Sequence, residues 1–450
     1  MTASSLRRLG TLLALLVFVS TAAHAQDAQR ISFNEAIQLA LDQNINLRQS
    51  ANQVEIAATQ VSDSRMQYYP NLSFSTGTGQ SYGRSIDPTS NQFIDDATES
   101  WSVSTSSGVS LFTGFRREAS MNQAKLDLES ADLSFSRQRQ DVIFRVMSNY
   151  LNLIDQSQQV LIREENLEAQ QQELERIQEF VRVGQRAISD QFQQETQVAN
   201  AELQLIQTQR LLQLAEANLI QILQLDPFGA YEFVIPDVSE DDLAEQAYSI
   251  NTMLNEAFTQ RTDLQAQEKS ISATAEGIRI ARSTRLPNIN LNGNYSTRWS
   301  SASSLNFSDQ VDLFRGGSVS VSLSVPIFDR FSTRNSVQRA QVRLTNAQLG
   351  LENLRQDIAL EVRQAYLDYQ TAIQTLDATA AALASAQQAL EVEQERYAVG
   401  SSTIVELTQA RASFVQAQSN RASAVYDFIF REKLIEYYTG GITADDALFD

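Results

Sequence analysis

Four short anchors recur in the same order about 216 residues apart, so the chain reads as two tandem copies of one unit. Tyr69-Pro70-Asn71-Leu72 answers to Leu286-Pro287-Asn288-Ile289, and Ser110-Leu111-Phe112 to Pro326-Ile327-Phe328. Tyr150-Leu151 answers to Tyr366-Leu367, and Val183-Gly184 to Val399-Gly400. A repeat on this scale requires each copy to be the same supersecondary unit. The first copy is placed at 26–225 and the second at 246–440. A linker at 226–245 runs from Asp226-Pro227-Phe228-Gly229 through Pro236, and a short acidic tail closes the chain at 441–450.

Each copy shows the same order of elements. A helical pattern (Phe33 to about Gln67, then Ile250 to Ser283) ends before Pro70 or Pro287. A β-hairpin follows, at about 71–112 and about 288–328. A very long helix then runs to a tip turn at about 184–189 or 400–403, and a shorter helix returns (Ser189 to Leu225, Thr403 to Tyr438). None of the 6 prolines lies between Pro88 and Pro227 or after Pro326. An interior proline costs a helix about 3 kcal/mol, so these are the stretches free to be long helices. Seventy-odd residues of helix span about 100 Å, and such a helix needs support along its flank. Val337/Ala340, Leu344/Ala347 and Leu351/Leu354 keep a seven-residue spacing, continued by Ile358 and Ala365. The stripe resumes at Tyr366/Tyr369, Ile373/Leu376 and Ala380/Leu383, and the returning helix carries Leu407/Ala410, Phe414/Ala417 and Ala424/Phe428. That period predicts antiparallel coiled coil with left-handed supercoiling.

The strands carry the membrane signal. Val319, Val321, Leu323, Val325 and Ile327 alternate with Ser318, Ser320, Ser322 and Ser324. Ile289, Leu291, Tyr295, Thr297 and Trp299 share one face; Leu72 and Phe74 begin a third strand, and Trp101, Val103, Val109 and Leu111 a fourth. Segments of about 10 residues with one apolar and one polar face suit lipid outside and water inside. Trp101 and Trp299, the only 2 tryptophans, lie at the loop ends, and Phe112, Phe115, Phe328 and Phe331 cluster at the opposite ends, as two interfacial girdles would. Four strands cannot close a barrel, and open edges are not tolerated in lipid, so closure needs several chains.

Composition narrows the function. Arg7 and Arg8, the apolar run Thr11 to Ala22 and Ala23-His24-Ala25 form a signal peptide over 1–25. The net charge of −19 argues against nucleic acid or anionic lipid headgroups as partners, since both need clustered Lys and Arg. There is no cysteine, and the only histidine is His24 in the leader. A mature chain without Cys or His lacks the usual metal sites, nucleophiles and triads, and no catalytic residues or cofactors are expected.

With these features in place, the sequence resembles the TolC family of outer-membrane efflux proteins over nearly its whole mature length. Pro70-Asn71-Leu72, Pro326-Ile327-Phe328-Asp329 and the turns around Val183-Gly184 and Val399-Gly400 carry the resemblance. It implies an α+β membrane protein located in the cell outer membrane with its helical part in the periplasm. That protein would be a homotrimer with a 12-stranded β-barrel and an α-helical tunnel. It implies passive export, of the efflux or type I secretion kind, with an inner-membrane pump and a periplasmic adaptor (membrane fusion protein) as partners.

The resemblance also assigns roles at the tips. Gly184, Ala187, Ile188 and Ser189, with Gly400, Thr403 and Ile404, correspond to adaptor-docking turns. Glu406 matches the first acidic position of a pore gate and Gln409 the second, which would leave one acidic ring whose like charges raise some carboxyl pKa values. Asp190 and Tyr397 match gate-stabilising residues, while Ser402 stands where an arginine partner of Asp190 is expected; Arg186 and Arg396 are the substitutes at hand. Independently, Gly184 and Gly400 suit left-handed helix ends, Ser189 suits a cap, and Thr403 with Glu406 has capping-box spacing. Two other classes compete with the duct: a soluble periplasmic coiled-coil adaptor or scaffold, and a carboxylate-based hydrolase. The first lacks its usual Gly- and Pro-rich domains here, and the second lacks a constellation of acids.

Overall fold

The computed structural model describes residues 29–86, 91–236, 243 and 245–443. The signal peptide, the acidic run 237–242 and residues 444–450 of the tail lie outside them.

In the first copy β1 (Gln29–Ile31) precedes α1 (Phe33–Gln43), α2 (Ile45–Met66) and β2 (Asn71–Ser81). A small hairpin, β3 (Arg84–Ile86) and β4 (Phe93–Asp95), leads to β5 (Thr98–Phe112), α3 (Arg116–Arg182) and α4 (Ile188–Ile222). β6 (Tyr231–Phe233) lies in the linker. The second copy has α5 (Ile250–Gln260), α6 (Thr262–Ser283), β7 (Asn288–Ser300), α7 (Phe307–Leu313), β8 (Gly316–Ser324), α8 (Ser332–Ala398) and α9 (Ile404–Thr439). The duplication reproduces helix lengths: α1 and α5 have 11 residues each, α2 and α6 22, α3 and α8 67. No described helix is long and apolar enough to cross a membrane.

The expected helix from Phe33 to Gln67 is in fact two, and so is its counterpart from Ile250. Both break at equivalent residues with extended backbone, Asn44 (ψ 121°) and Arg261 (ψ 119°). Asn44 caps α2 by accepting a bond from the Leu47 amide, the usual role of asparagine at a helix start. Arg261 has no such side-chain oxygen; the break there accommodates Gly440, where an added Cβ would stand 3.2 Å from the Arg261 amide nitrogen.

Two compact units cut across the copies: one holds 29–42 and 146–236, the other 43–145 and 243–443. In the first, β1 pairs in parallel with β6, and the buried Tyr150 hydroxyl donates to the Val234 carbonyl just past β6, with the Ile31 carbonyl of β1 3.3 Å away. Gln194 of α4 donates to the backbone and side-chain oxygens of Gln170 in α3, at 2.9 and 2.7 Å. In the second, α8 and α9 pack as an antiparallel pair, with Arg421 donating to the Leu376 carbonyl and Arg431 paired to Asp368. Ala340, Ile358, Ala365, Tyr369, Leu407, Ala417, Ala424 and Phe428 of the expected seam are buried. Ala380 is exposed, and Val362 and Ala372 are buried between seam positions.

A buried charge cluster locks the second unit where α9 ends. The Arg261 side chain is 4 % exposed and is held by Asp263 (3.1 and 2.6 Å) and Glu361 (2.6 Å). Arg137 bonds Asp141 at 3.2 Å and lies over the Tyr437 ring, whose hydroxyl donates to Asp141. Burial penalises the Asp263 carboxylate, but hydrogen bonds and charge from Arg261, helped by Arg137, win and hold its pKa below the usual carboxylate range.

Candidate functional site

The sheet of the second unit has strand order β2-β5-β7-β8, antiparallel throughout. Directly opposed residues in such a sheet point to the same side, so the pairings sort the side chains into two faces. One face carries the rows Phe112–Ile289–Leu323, Val109–Leu291–Val321, Leu72–Ser107–Gly293–Val319 and Phe74–Thr105–Tyr295–Gly317, then Thr76–Val103–Thr297 and Thr78–Trp101–Trp299. The other carries Ser and Asn at nearly every position, relieved by Gly and Thr98, with Arg298 as its one charged side chain. On that face serine hydroxyls bond across the strands, Ser73 to Ser106 and Ser75 to Ser104, both at 2.7 Å.

Away from the rim at Trp101 and Trp299, where α7 packs, the apolar face is uncovered. Val319 is 80 % exposed and Leu72 77 %. Exposed valine and leucine on a strand face opposite a serine carpet is what lipid-facing strands require and water-facing strands avoid. The register shifts between Ser110 and Phe112, leaving Leu111 as a bulge and turning Phe112 onto the apolar face opposite Ile289. Leu111, expected on that face, is the bulged residue instead. β8 stops at Ser324 rather than continuing to Phe328, because Pro326 has no N–H to give the ladder.

The aromatic residues mark both rims. Trp101 and Trp299 lie opposite one another, with Phe307 of α7 packed 5.3 and 6.1 Å from their rings. Within the hairpin expected at about 288–328, α7 is a helix capped by Asn306. At the other rim Phe112 pairs with Phe115 at 5.2 Å and Phe328 with Phe331 at 6.0 Å. β2 and β8 each keep one edge without a strand partner among the described residues.

The tips are built alike. Gly184 (φ 75°) and Gly400 (φ 78°) follow the ends of α3 and α8 in left-handed conformation. Gln185 donates to Phe180 and Ser401 to Arg396, each closing the six-residue ring that satisfies orphan carbonyls at a helix end. The next helices differ. Ala187 is the N-cap of α4 and has no side-chain cap, so Ser189, expected to cap, instead lies inside the first turn beside Asp190. Thr403 and Glu406 form a complete capping box.

Glu406 does more than cap. Its Oε2 accepts from the Thr403 amide (2.9 Å), the Thr403 hydroxyl (3.1 Å) and the Ser402 hydroxyl (2.9 Å). These donors, the Thr403 amide first, hold its pKa below the usual value, so within one chain the carboxylate is ionised more readily than average. The Ser402 hydroxyl also lies against the Glu393 carboxylate of α8, a residue that sequence reading missed, so its single proton is shared between Glu393 and Glu406. Arg396 is engaged by Glu393 at 2.9 Å. The second tip thus brings Glu393, Arg396, Ser402, Thr403 and Glu406 together, with Tyr397 and Ile404 buried beside them and Gln409 exposed one turn further on. The contact between Glu393 and Ser402 reaches across the turn from α8, so no short capping motif announces it.

The chain matches the family described as outer membrane efflux protein over residues 36–224 and 253–437, one match to each copy. It is 24% identical over 389 residues to protein CyaE of Bordetella pertussis, covering 85% of this chain and 78% of that one. Over 451 residues it is 24% identical to the outer membrane protein TolC of Escherichia coli, covering 97% and 88%. Among solved structures it is similar to outer membrane protein VceC of Vibrio cholerae, with a TM-score of 0.76, 16% identity and coverage of 91% and 96%. The CmeC outer membrane channel of Campylobacter jejuni gives 0.78 and 17%, covering 92% and 87%. At such identities the solved structures speak for the fold, and the family match speaks for the rest: the chain belongs to the outer membrane efflux protein family, whose members are transport channels.

Proposed function

We propose that the chain is one protomer of a trimeric outer-membrane duct that passively conducts substrates delivered by an inner-membrane pump through a periplasmic adaptor, in efflux or type I secretion. The observation that carries this reading is the four-stranded sheet with one lipid-type face, one hydroxyl-lined face and two open edges. Lipid does not tolerate an unpaired edge, so β8 of one copy pairs with β2 of the next, and three copies give twelve strands. The long helices form the periplasmic tunnel, and the tips are its gate and docking end.

In the gate, Glu406 presents an acidic ring near the tunnel axis. Its two oxygens divide the work: Oε2 holds the cap, while Oε1 accepts no hydrogen bond from the described residues and is free for cations. In planar bilayers the protein should conduct and be blocked by divalent cations from the tip side. Glu406→Ala should weaken that block about tenfold or more, as loss of three clustered charges implies. An unchanged response would remove Glu406 from the pore.

For docking, Gly184, Ala187, Ile188, Ser189, Gly400, Thr403 and Ile404 form the adaptor-facing turns. An added Cβ at Gly184 or Gly400 meets nothing within 4 Å, so a side chain there costs only the left-handed backbone, about 1–2 kcal/mol. Gly184→Glu and Gly400→Glu should impair export while leaving the oligomer intact; full export from both would contradict tip docking.

A further inference from the structure

The −19 of the whole chain hides a local excess of the opposite sign. Where the sheet meets the helices, four crossings of the chain lie at one rim: Met66 to Asn71, Phe112 to Arg116, Ser283 to Asn288, and Ser324 to Ser332. Arg65, Arg116, Arg282, Arg285, Arg330 and Arg334 lie within about ten residues of the strand ends there, all exposed, and none forms an ion pair among the described residues. Against them stand Asp63, Glu118 and Asp329. Asp329 is already occupied, accepting from the Thr333 amide at 2.8 Å and from the Thr333 hydroxyl.

Large apolar side chains interleave with these arginines. Tyr69 is exposed beside Pro70, Phe115 adjoins Arg116, Leu286 adjoins Arg285, and Ile327, Phe328 and Phe331 flank Arg330. Phe115 (φ 65°) and Phe331 (φ 64°) adopt a left-handed backbone that bulky residues avoid, and they do so at equivalent points of the two copies. Such strain persists where the surroundings hold it for a use. Exposed aromatic rings interleaved with unpaired guanidinium groups make the pattern of a membrane interface.

We infer that this rim is a seat for anionic phospholipid headgroups of the membrane leaflet on the helix side of the sheet. The inference rests on the outer-membrane reading above and adds the lipid class. Each arginine near a charged membrane surface favours anionic lipid by about 1 kcal/mol, roughly fivefold, and the preference should fall with salt. It also reverses the expectation drawn from net charge, because an average over 450 residues says nothing about where the arginines are gathered.

The test uses the full protein reconstituted into bilayers of equal phosphatidylglycerol and phosphatidylcholine, with bound lipid counted by native mass spectrometry. The protein should retain phosphatidylglycerol about fivefold over phosphatidylcholine. A fourfold variant, R116Q/R282Q/R285Q/R330Q, should lose most of that preference. R343Q/R363Q, changed on α8 farther from the sheet, should keep it. Equal retention of the two lipids, or a preference untouched by the fourfold variant, overturns the seat. Protein that fails to enter bilayers at all overturns the membrane reading and the seat with it.

Discussion

A lysine at Val319 is expected to remove most of the assembled protein from the outer membrane, while a lysine at the neighbouring Ser320 leaves the amount nearly unchanged. The two residues are adjacent on β8 but face opposite sides, Val319 opposite Gly293 and Ser320 opposite Asn292. Val319 lies in the third of the six apolar rows, near the middle of the span, where a lipid-facing lysine costs about 2–4 kcal/mol. With three copies in one barrel the penalty becomes about 6–12 kcal/mol, comparable with the whole stability of a folded domain. Ser320→Lys places its charge among serine and asparagine in water. Immunoblots of outer-membrane fractions measure both; equal loss from the two variants would mean that the faces are not what separates them.

The second large effect is expected at Arg261. Removing one partner of a fully buried ion pair costs about 3–5 kcal/mol; here the arginine is buried but Glu361 keeps 39 % and Asp263 24 % of its side chain exposed, which places the cost at or below the lower end of that range. Arg261→Ala strands Asp263 and Glu361 and loosens the seat of Gly440 against the α5–α6 break. Thermal unfolding should shift downward by several degrees or more, and Arg261→Lys should recover only part, since a lysine cannot hold Asp263 with two parallel bonds. The cluster also predicts acid lability of a stated sign. Asp263 has its folded pKa depressed, so its contribution is present above the unfolded value near 3.8 and is lost as pH falls through the lower folded value. Below about pH 4 the native protein should therefore lose more stability than Arg261→Ala does. Equal pH profiles would detach the cluster from stability.

How much of this was legible in the sequence depends on how local each cause is. The Ser and Val alternation of β8 is a period within one segment, and it reads correctly. The bulge at Leu111 does not, because it is defined by pairing with Ile289 and Asn290 far along the chain. Asn44 announces a helix start by its side chain; Arg261 breaks its helix through tertiary packing and announces nothing. At the tips, Thr403 and Glu406 are three residues apart and their box was readable. Ser189 misled because Ala187, a residue with no capping group, takes the N-cap position. Glu393 went unseen since its link to Ser402 spans the turn.

The central claim is that three copies close one barrel through the edges of β2 and β8. Within a chain those edges are three strand spacings apart, about 14 Å, too far for a disulfide. The natural chain has no cysteine, so introduced pairs react cleanly. Ser73→Cys should be combined in turn with Ser318→Cys, Ser320→Cys and Ser322→Cys, and the membranes oxidised and run without reductant. At the matching register the account predicts covalent species that stop at three chains. Monomers from every pair, or a ladder that continues past three, would contradict it.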